Sequence, residues 1–274
     1  MNPQIDIINL GVSDVQAACE FYERGLGGSL EPGQQTPVMT FAGAASPLAL
    51  RRWQAIADAA GVKSESRGFR AFTLSYIVDP AEAVDQLLQR AERHGGQISK
   101  PPKNAVWGYS AYVTDPSGNL WKIASSKRRP LLARKGSAGN GHQPITPKEI
   151  PITIGVADMK QAKEFYKDGL GLPVKKAYGN KFVMFSGGDG TSDLGMYRRE
   201  ALADDAAVNP EGSGFHGFTL THIVDSTDRV DELLARAHSA GGKIVKAPSP
   251  ADGSSYSGYF ADLDGNVWQV TNSN

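Results

Sequence analysis

The chain of 274 residues has a single cysteine, Cys19, which excludes an intramolecular disulfide and a thiolate-cluster metal site. Neither charge is in excess, because 29 Lys and Arg balance 29 Asp and Glu. No global field therefore favours nucleic acid or an anionic membrane. No apolar run comes near the roughly 20 residues that span a bilayer. The opening residues, MNPQIDIINLG, lack the basic-then-apolar pattern of a secretory signal. Phosphate-cradling glycine loops, nucleophile elbows and HExxH pairs are also missing. What is left is the composition of a globular protein able to build a full core, with hydrophobic residues at 40%. The expectation is a cytoplasmic protein that handles a small molecule, with neither nucleic acid nor membrane as partner.

What is present is a repeat. GVSDVQAACEFYERGLGG from Gly11 returns as GVADMKQAKEFYKDGLGL from Gly155. GFRAFTLSYIVD from Gly68 returns as GFHGFTLTHIVD from Gly214, and DPSGNLWKIAS from Asp115 as DLDGNVWQVTN from Asp262. Two copies follow, 1–126 and 148–274, joined by 127–147. That joining segment is basic at first and then rich in Gly, Ser and Pro, the composition of a solvated linker.

Each copy subdivides again. A strand over Ile5–Val12 ends at the N-cap candidate Asp14. Val15, Ala18, Cys19, Tyr22 and Leu26 then fall on one helical stripe, which makes Cys19 a packing residue. Short strands are expected near Gly28–Leu30, Val38–Phe41 and Leu48–Arg52. A second unit runs from a strand at Ala71–Val78 through a helix at Pro80–His94 to strands near Gln97–Ser99, Tyr109–Thr114 and Leu120–Ser125. Trp53–Arg67 and Arg198–Ser213 read as matched long loops that cover cavities. The pattern is βαβββ twice per copy.

Paired βαβββ units, a GVxD…FYxxGLG opening and a DPxGNLW close resemble the vicinal oxygen chelate superfamily, which includes glyoxalase I, extradiol dioxygenases and bleomycin-resistance proteins. The resemblance implies an α+β fold, a tandem repeat of two glyoxalase-like domains, each of paired βαβββ units forming a curved mixed sheet around a cavity. In enzymatic members a divalent metal sits in that cavity on His, Glu or Gln. The matching positions here are Ile7 and Pro151, Ala49 and Gly195, Thr73 and Thr219, and Lys122 and Gln269. Only the amide of Gln269 is a usable donor, and one amide does not hold a divalent ion. Metal and cofactor are therefore expected to be absent.

The remaining site candidates are Thr73, Trp107, Tyr109, Lys122, His216, Thr219, Tyr256 and Gln269. The aromatics suit stacking on a planar ligand. Lys122 suits an anionic or phenolic group if it points into the cavity, and otherwise extends to solvent at the rim. His216 stands just before the fifth strand of the second copy, where Arg70 is its counterpart. The expected function is metal-free binding of an antibiotic or aromatic metabolite. The alternative is a glyoxalase- or dioxygenase-like enzyme with an atypical or absent metal site. Two fused copies suit a monomer with internal pseudo-symmetry, and a homodimer stays open.

Overall fold

A computed structural model describes residues 3–43, 46–105, 108–130, 145–250 and 255–272. Trp107 and linker residues 131–144, including Arg134 and Lys135, lie outside the described residues.

The first copy runs β1 (Ile7–Val12), α1 (Val15–Glu20), β2 (Ser29–Leu30), β3 (Val38–Thr40), β4 (Leu48–Arg52), α2 (Trp53–Ala60) and β5 (Ser66–Gly68). It continues with β6 (Phe72–Ile77), α3 (Glu82–Arg93), β7 (Gln97–Ala105), β8 (Gly108–Thr114) and β9 (Leu120–Ser125). The second copy repeats the order as β10 (Ile152–Val156), α4 (Met159–Glu164), β11 (Val174–Tyr178), β12 (Phe182–Phe185), β13 (Leu194–Arg198), α5 (Arg199–Ala206) and β14 (Gly212–Gly214). It ends with β15 (Phe218–Val224), α6 (Thr227–Ser239), β16 (Lys243–Pro250), β17 (Tyr256–Ala261) and β18 (Val267–Asn272). Asp14 and Asp158 cap α1 and α4 by accepting backbone N–H groups of the first turn.

Two differences from the sequence reading matter for the site. The segments read as long loops each open with a helix, α2 or α5. Both are short and alanine-rich, and each buries one apolar face: Ile56, Ala57 and Ala60, or Leu202, Ala203 and Ala206. β7 is also longer than read, because Pro101 and Pro102 broke the pattern. It is an edge strand, and its pairing with β8 skips the two prolines through an irregularity between Lys100 and Lys103.

The sheets do not follow the repeat boundary. One eight-stranded sheet, here sheet A, has the order β16-β17-β18-β15-β1-β4-β3-β2, joining the first unit of copy one to the second unit of copy two. Sheet B has the order β11-β12-β13-β10-β6-β9-β8-β7 and joins the other two units. The seams are antiparallel and lie at the centre of each sheet, with Asn9 opposite Thr219 in A and Thr153 opposite Thr73 in B. Strand alternation sorts the side chains. Ile8, Leu10, Leu74, Tyr76, Trp121, Ile152 and Trp268 go to a single core shared by both sheets and helices α3, α4 and α6. The residues between them, from Asn9 and Thr73 to Lys122 and Gln269, face the other way, and those of sheet B line a cavity.

The repeated close of each copy locks this frame. Asp115 is almost wholly buried and accepts a hydrogen bond from Tyr22 Oη at 2.6 Å. It also accepts from the Ser117 and Asn119 backbone and from Asn119 Nδ2. Trp121 Nε1 donates to Tyr22 Oη at 3.2 Å. Asp262, Tyr166, Asn266 and Trp268 build the same network in copy two. The Asp, Asn and Trp of the closing motif, with the Tyr of FYxxGLG, tie the last strand of each copy to the end of its first helix. Burial, with the neighbouring carboxylates, raises both tyrosine hydroxyls well above their ordinary range.

Candidate functional site

The cavity face of each sheet carries one row of side chains from four central strands. In sheet A, Asn9 stands beside Ala49 on β4 and Thr219 on β15. Gln269 lies beside Thr221. In sheet B, Thr153 stands beside Gly195 and Thr73, and Lys122 beside Ser75. The first-strand residue in each row is thus Asn9 or Thr153, two residues beyond the expected Ile7 and Pro151. A signal for Asn9 was present, since it is the one polar residue in the strand IINLGV.

These donor sets do not fit a divalent metal. In sheet A, Asn9 Nδ2 donates to Thr221 Oγ1 at 2.9 Å, and Thr221 Oγ1 donates to Gln269 Oε1 at 3.1 Å. The two amides and the hydroxyl are linked in one chain, with no carboxylate or imidazole among them. In sheet B the groups are three hydroxyls, a glycine and an ammonium. A Cβ at Gly195 would stand 2.8 Å from the Thr153 hydroxyl, so that position has no room for a longer ligand. Among the described residues, no group of three or more His, Cys, Asp and Glu is placed to hold a metal ion.

Sheet B instead holds a polar cluster under α5. Lys122 forms an ion pair with the Asp205 carboxylate from the last turn of that helix. Tyr112 Oη donates to the same oxygen at 2.6 Å, and Lys100 Nζ stands 3.6 Å from the other oxygen. Lys100 Nζ also donates to the Asp205 backbone carbonyl. Burial raises the Asp205 carboxyl, but Lys122, Tyr112 and Lys100 outweigh it and hold the group below its ordinary value. Burial, and next the Asp205 charge, push the Tyr112 hydroxyl well up. A cavity of about 260 Å³ opens beside the cluster, with walls that include Phe182, Met184 and Tyr197. Thr73 reaches it with a buried hydroxyl that has no partner among the described residues.

The equivalent corner of sheet A keeps the frame and changes the charge. Tyr259 stands for Tyr112, and Lys246 Nζ donates to the Ala59 carbonyl at 2.9 Å, as Lys100 does to that of Asp205. Lys122 is replaced by Gln269 and Asp205 by Ala59, and Arg51 takes the place of Tyr197. The lysine and its carboxylate, one from each copy, are present together at sheet B and absent together from sheet A.

The expected site residues are therefore not brought together at one place. Thr73 and Lys122 meet in the sheet B cavity, and Thr219 and Gln269 lie on the cavity face of sheet A. Tyr109 and Tyr256 point the other way, donating to Asp85 of α3 and Asp231 of α6. His216 is buried with Nδ1 2.9 Å from Asn266 Oδ1, and burial lowers its pKa despite that contact. Trp107 lies outside the described residues. Asp205 was not expected, because it belongs to a segment read as loop.

A Bacillus subtilis (strain 168) protein, YraH, is 27% identical over 128 residues, which is 45% of this chain and 96% of that protein. Glyoxalase I from Zea mays superimposes with a TM-score of 0.64 at 15% identity, covering 98% of this chain and 92% of that one; at that identity the likeness is one of fold. The sequence model of the Glyoxalase/Bleomycin resistance protein/Dioxygenase superfamily matches residues 4–123 and again 150–270. With the tandem βαβββ units and the repeated closing network, these matches establish that the chain belongs to the glyoxalase/bleomycin resistance protein/dioxygenase superfamily.

Proposed function

We propose that the protein is a metal-independent binder of a small, partly aromatic molecule, an aromatic metabolite or an antibiotic, taken up on the cavity face of sheet B. The observation that carries this reading is the donor set. The positions on this face of the two sheets offer hydroxyls, amides and an ammonium, which orient an organic ligand by hydrogen bonds and charge but do not chelate a divalent ion. The sheet B cavity joins apolar and aromatic walls to a few converging polar groups, the usual make-up of a small-molecule site. Its volume of about 260 Å³ suits a small ring system.

The test is a thermal-shift survey of aromatic metabolites and antibiotics on protein purified without chelators, repeated in EDTA. A ligand that binds only the native state at 100 times its Kd adds about 2.7 kcal/mol of apparent stability. At least one compound is expected to raise Tm equally with and without EDTA. Stoichiometric tightly bound Mn, Fe, Ni or Zn in the purified protein, or a shift that EDTA abolishes, would overturn the reading.

A further inference from the structure

We infer that the sheet B cavity takes a small carboxylate or phenolate in the place that the Asp205 side chain now holds, with the last turn of α5 as the part that yields. This rests on the reading of sheet B as a ligand cavity and adds the ligand's charge and the residue that competes with it. Three donors from different strands converge on one carboxylate: Lys122 from β9, Tyr112 from β8 and Lys100 from β7. Together they carry two positive charges against one negative. A receptor for an anion has this shape, and here a side chain from a covering helix fills it.

The internal repeat separates what the frame needs from what the charge needs. The lysine that holds the end of the covering helix, and the tyrosine beside it, occur in both copies. The Lys122–Asp205 pair, which spans the two copies, has no counterpart at sheet A, and Ala59 of α2 shows that the frame stands without a carboxylate at that position. The helix is also fixed unevenly. Arg199, at its start, donates to the carbonyls of Pro210, Phe69 and Gly212. At its end Ala207 lies in the left-handed region at φ 58°, a conformation that disfavours an L side chain. The counterpart of Ala207 is Gly61, at φ 70°, where that conformation costs little. The strained end carries Asp205 and is held there by Lys100 and by the side-chain contacts of Asp205.

The probes are 4-fluorobenzoate and its neutral analogue 4-fluorobenzamide, followed by ¹⁹F NMR on the full chain. Asp205→Ala reproduces the residue of the other copy and is expected to fold. It should bind 4-fluorobenzoate at least ten-fold more tightly than the parent protein, with little change for the amide. Lys122→Gln in the same background should remove that gain. Separately, acetic anhydride labelling read by mass spectrometry should modify Lys122 several-fold faster in Asp205→Ala than in the parent. Equal labelling rates, or equal gains for acid and amide, would sink the inference. Amide binding that neither variant alters leaves a ligand cavity without an anion site. Failure of both probes and of the whole compound survey on Asp205→Ala removes the cavity reading with it.

Discussion

Asp264 and Ser117 occupy the same turn in the two closing motifs and do the same work with different charge. Ser117 Oγ accepts from the Ser13 backbone at 3.0 Å, and Asp264 Oδ1 accepts from the Ala157 backbone at 2.8 Å. Burial raises the Asp264 carboxyl to about 6, with Asp262 adding to the rise and the Ala157 N–H opposing it. The folded state therefore holds a proton that the unfolded chain releases near pH 4. This contribution is fully present below pH 4 and is lost as pH rises through about 6. Asp264→Ser keeps an acceptor and removes the charge, so urea unfolding at pH 4, 5, 6 and 7 should lose that decline; an unchanged slope would refute the assignment. The buried networks give a second expectation. Tyr22→Phe and Tyr166→Phe each strip a donor from a buried carboxylate, at a cost of about 1.5–3 kcal/mol, and denaturant midpoints should fall equally in both. At this scale the sequence was partly legible. Lys122 and Gln269 stand out because the repeat puts unlike residues in like places, whereas Thr73 and Thr219 came from the ligand positions that the family resemblance implies. Tyr109 and Tyr256 were assigned to the wrong face, because the strand start was known only to within a residue and the side-chain period is two.

Among the elements, α5 decides most about the site and was the least visible in advance. Its eight residues, REALADDA, show no sustained apolar stripe, so pattern alone did not raise it above a loop. β4 and β9, by contrast, have the bounds expected, since alternation and flanking turn residues mark them clearly. Asp205 is legible only once α5 is laid over sheet B, although its exchange with Ala59 parallels that of Lys122 with Gln269. A double-mutant cycle on Lys122→Gln and Asp205→Ala is expected to give a coupling of about 1 kcal/mol, at the upper end for partly exposed pairs. Because the folded Asp205 carboxyl is depressed, the coupling should persist above pH 4 and disappear as pH falls through the folded value. Additive effects at pH 7 would remove the pair as a stabilising contact.

For the whole molecule, the sheets bind the copies more firmly than the linker does. The copies were legible as sequence, but which unit pairs with which was not, because a seam of Ile7–Leu10 against Phe218–Thr221 looks locally like any strand pair. Residues 1–126 alone would expose β1 and β6, the two seam strands, as long apolar edges. Sedimentation velocity of that fragment is expected to show a dimer in which each β1 pairs with the partner's β6; a stable monomer would contradict the crossed pairing. The crossing also sets a clock on synthesis. Leu10 meets Phe218 only after about 200 further residues have been made, roughly 10–40 s at common rates of translation. The β6 seam finds its partner once β10 is made, but the β1 seam stays open through that whole interval. Sheet A cannot close until β15 has followed, so for most of its synthesis the chain is a half-finished protein whose missing partner strand is its own later product.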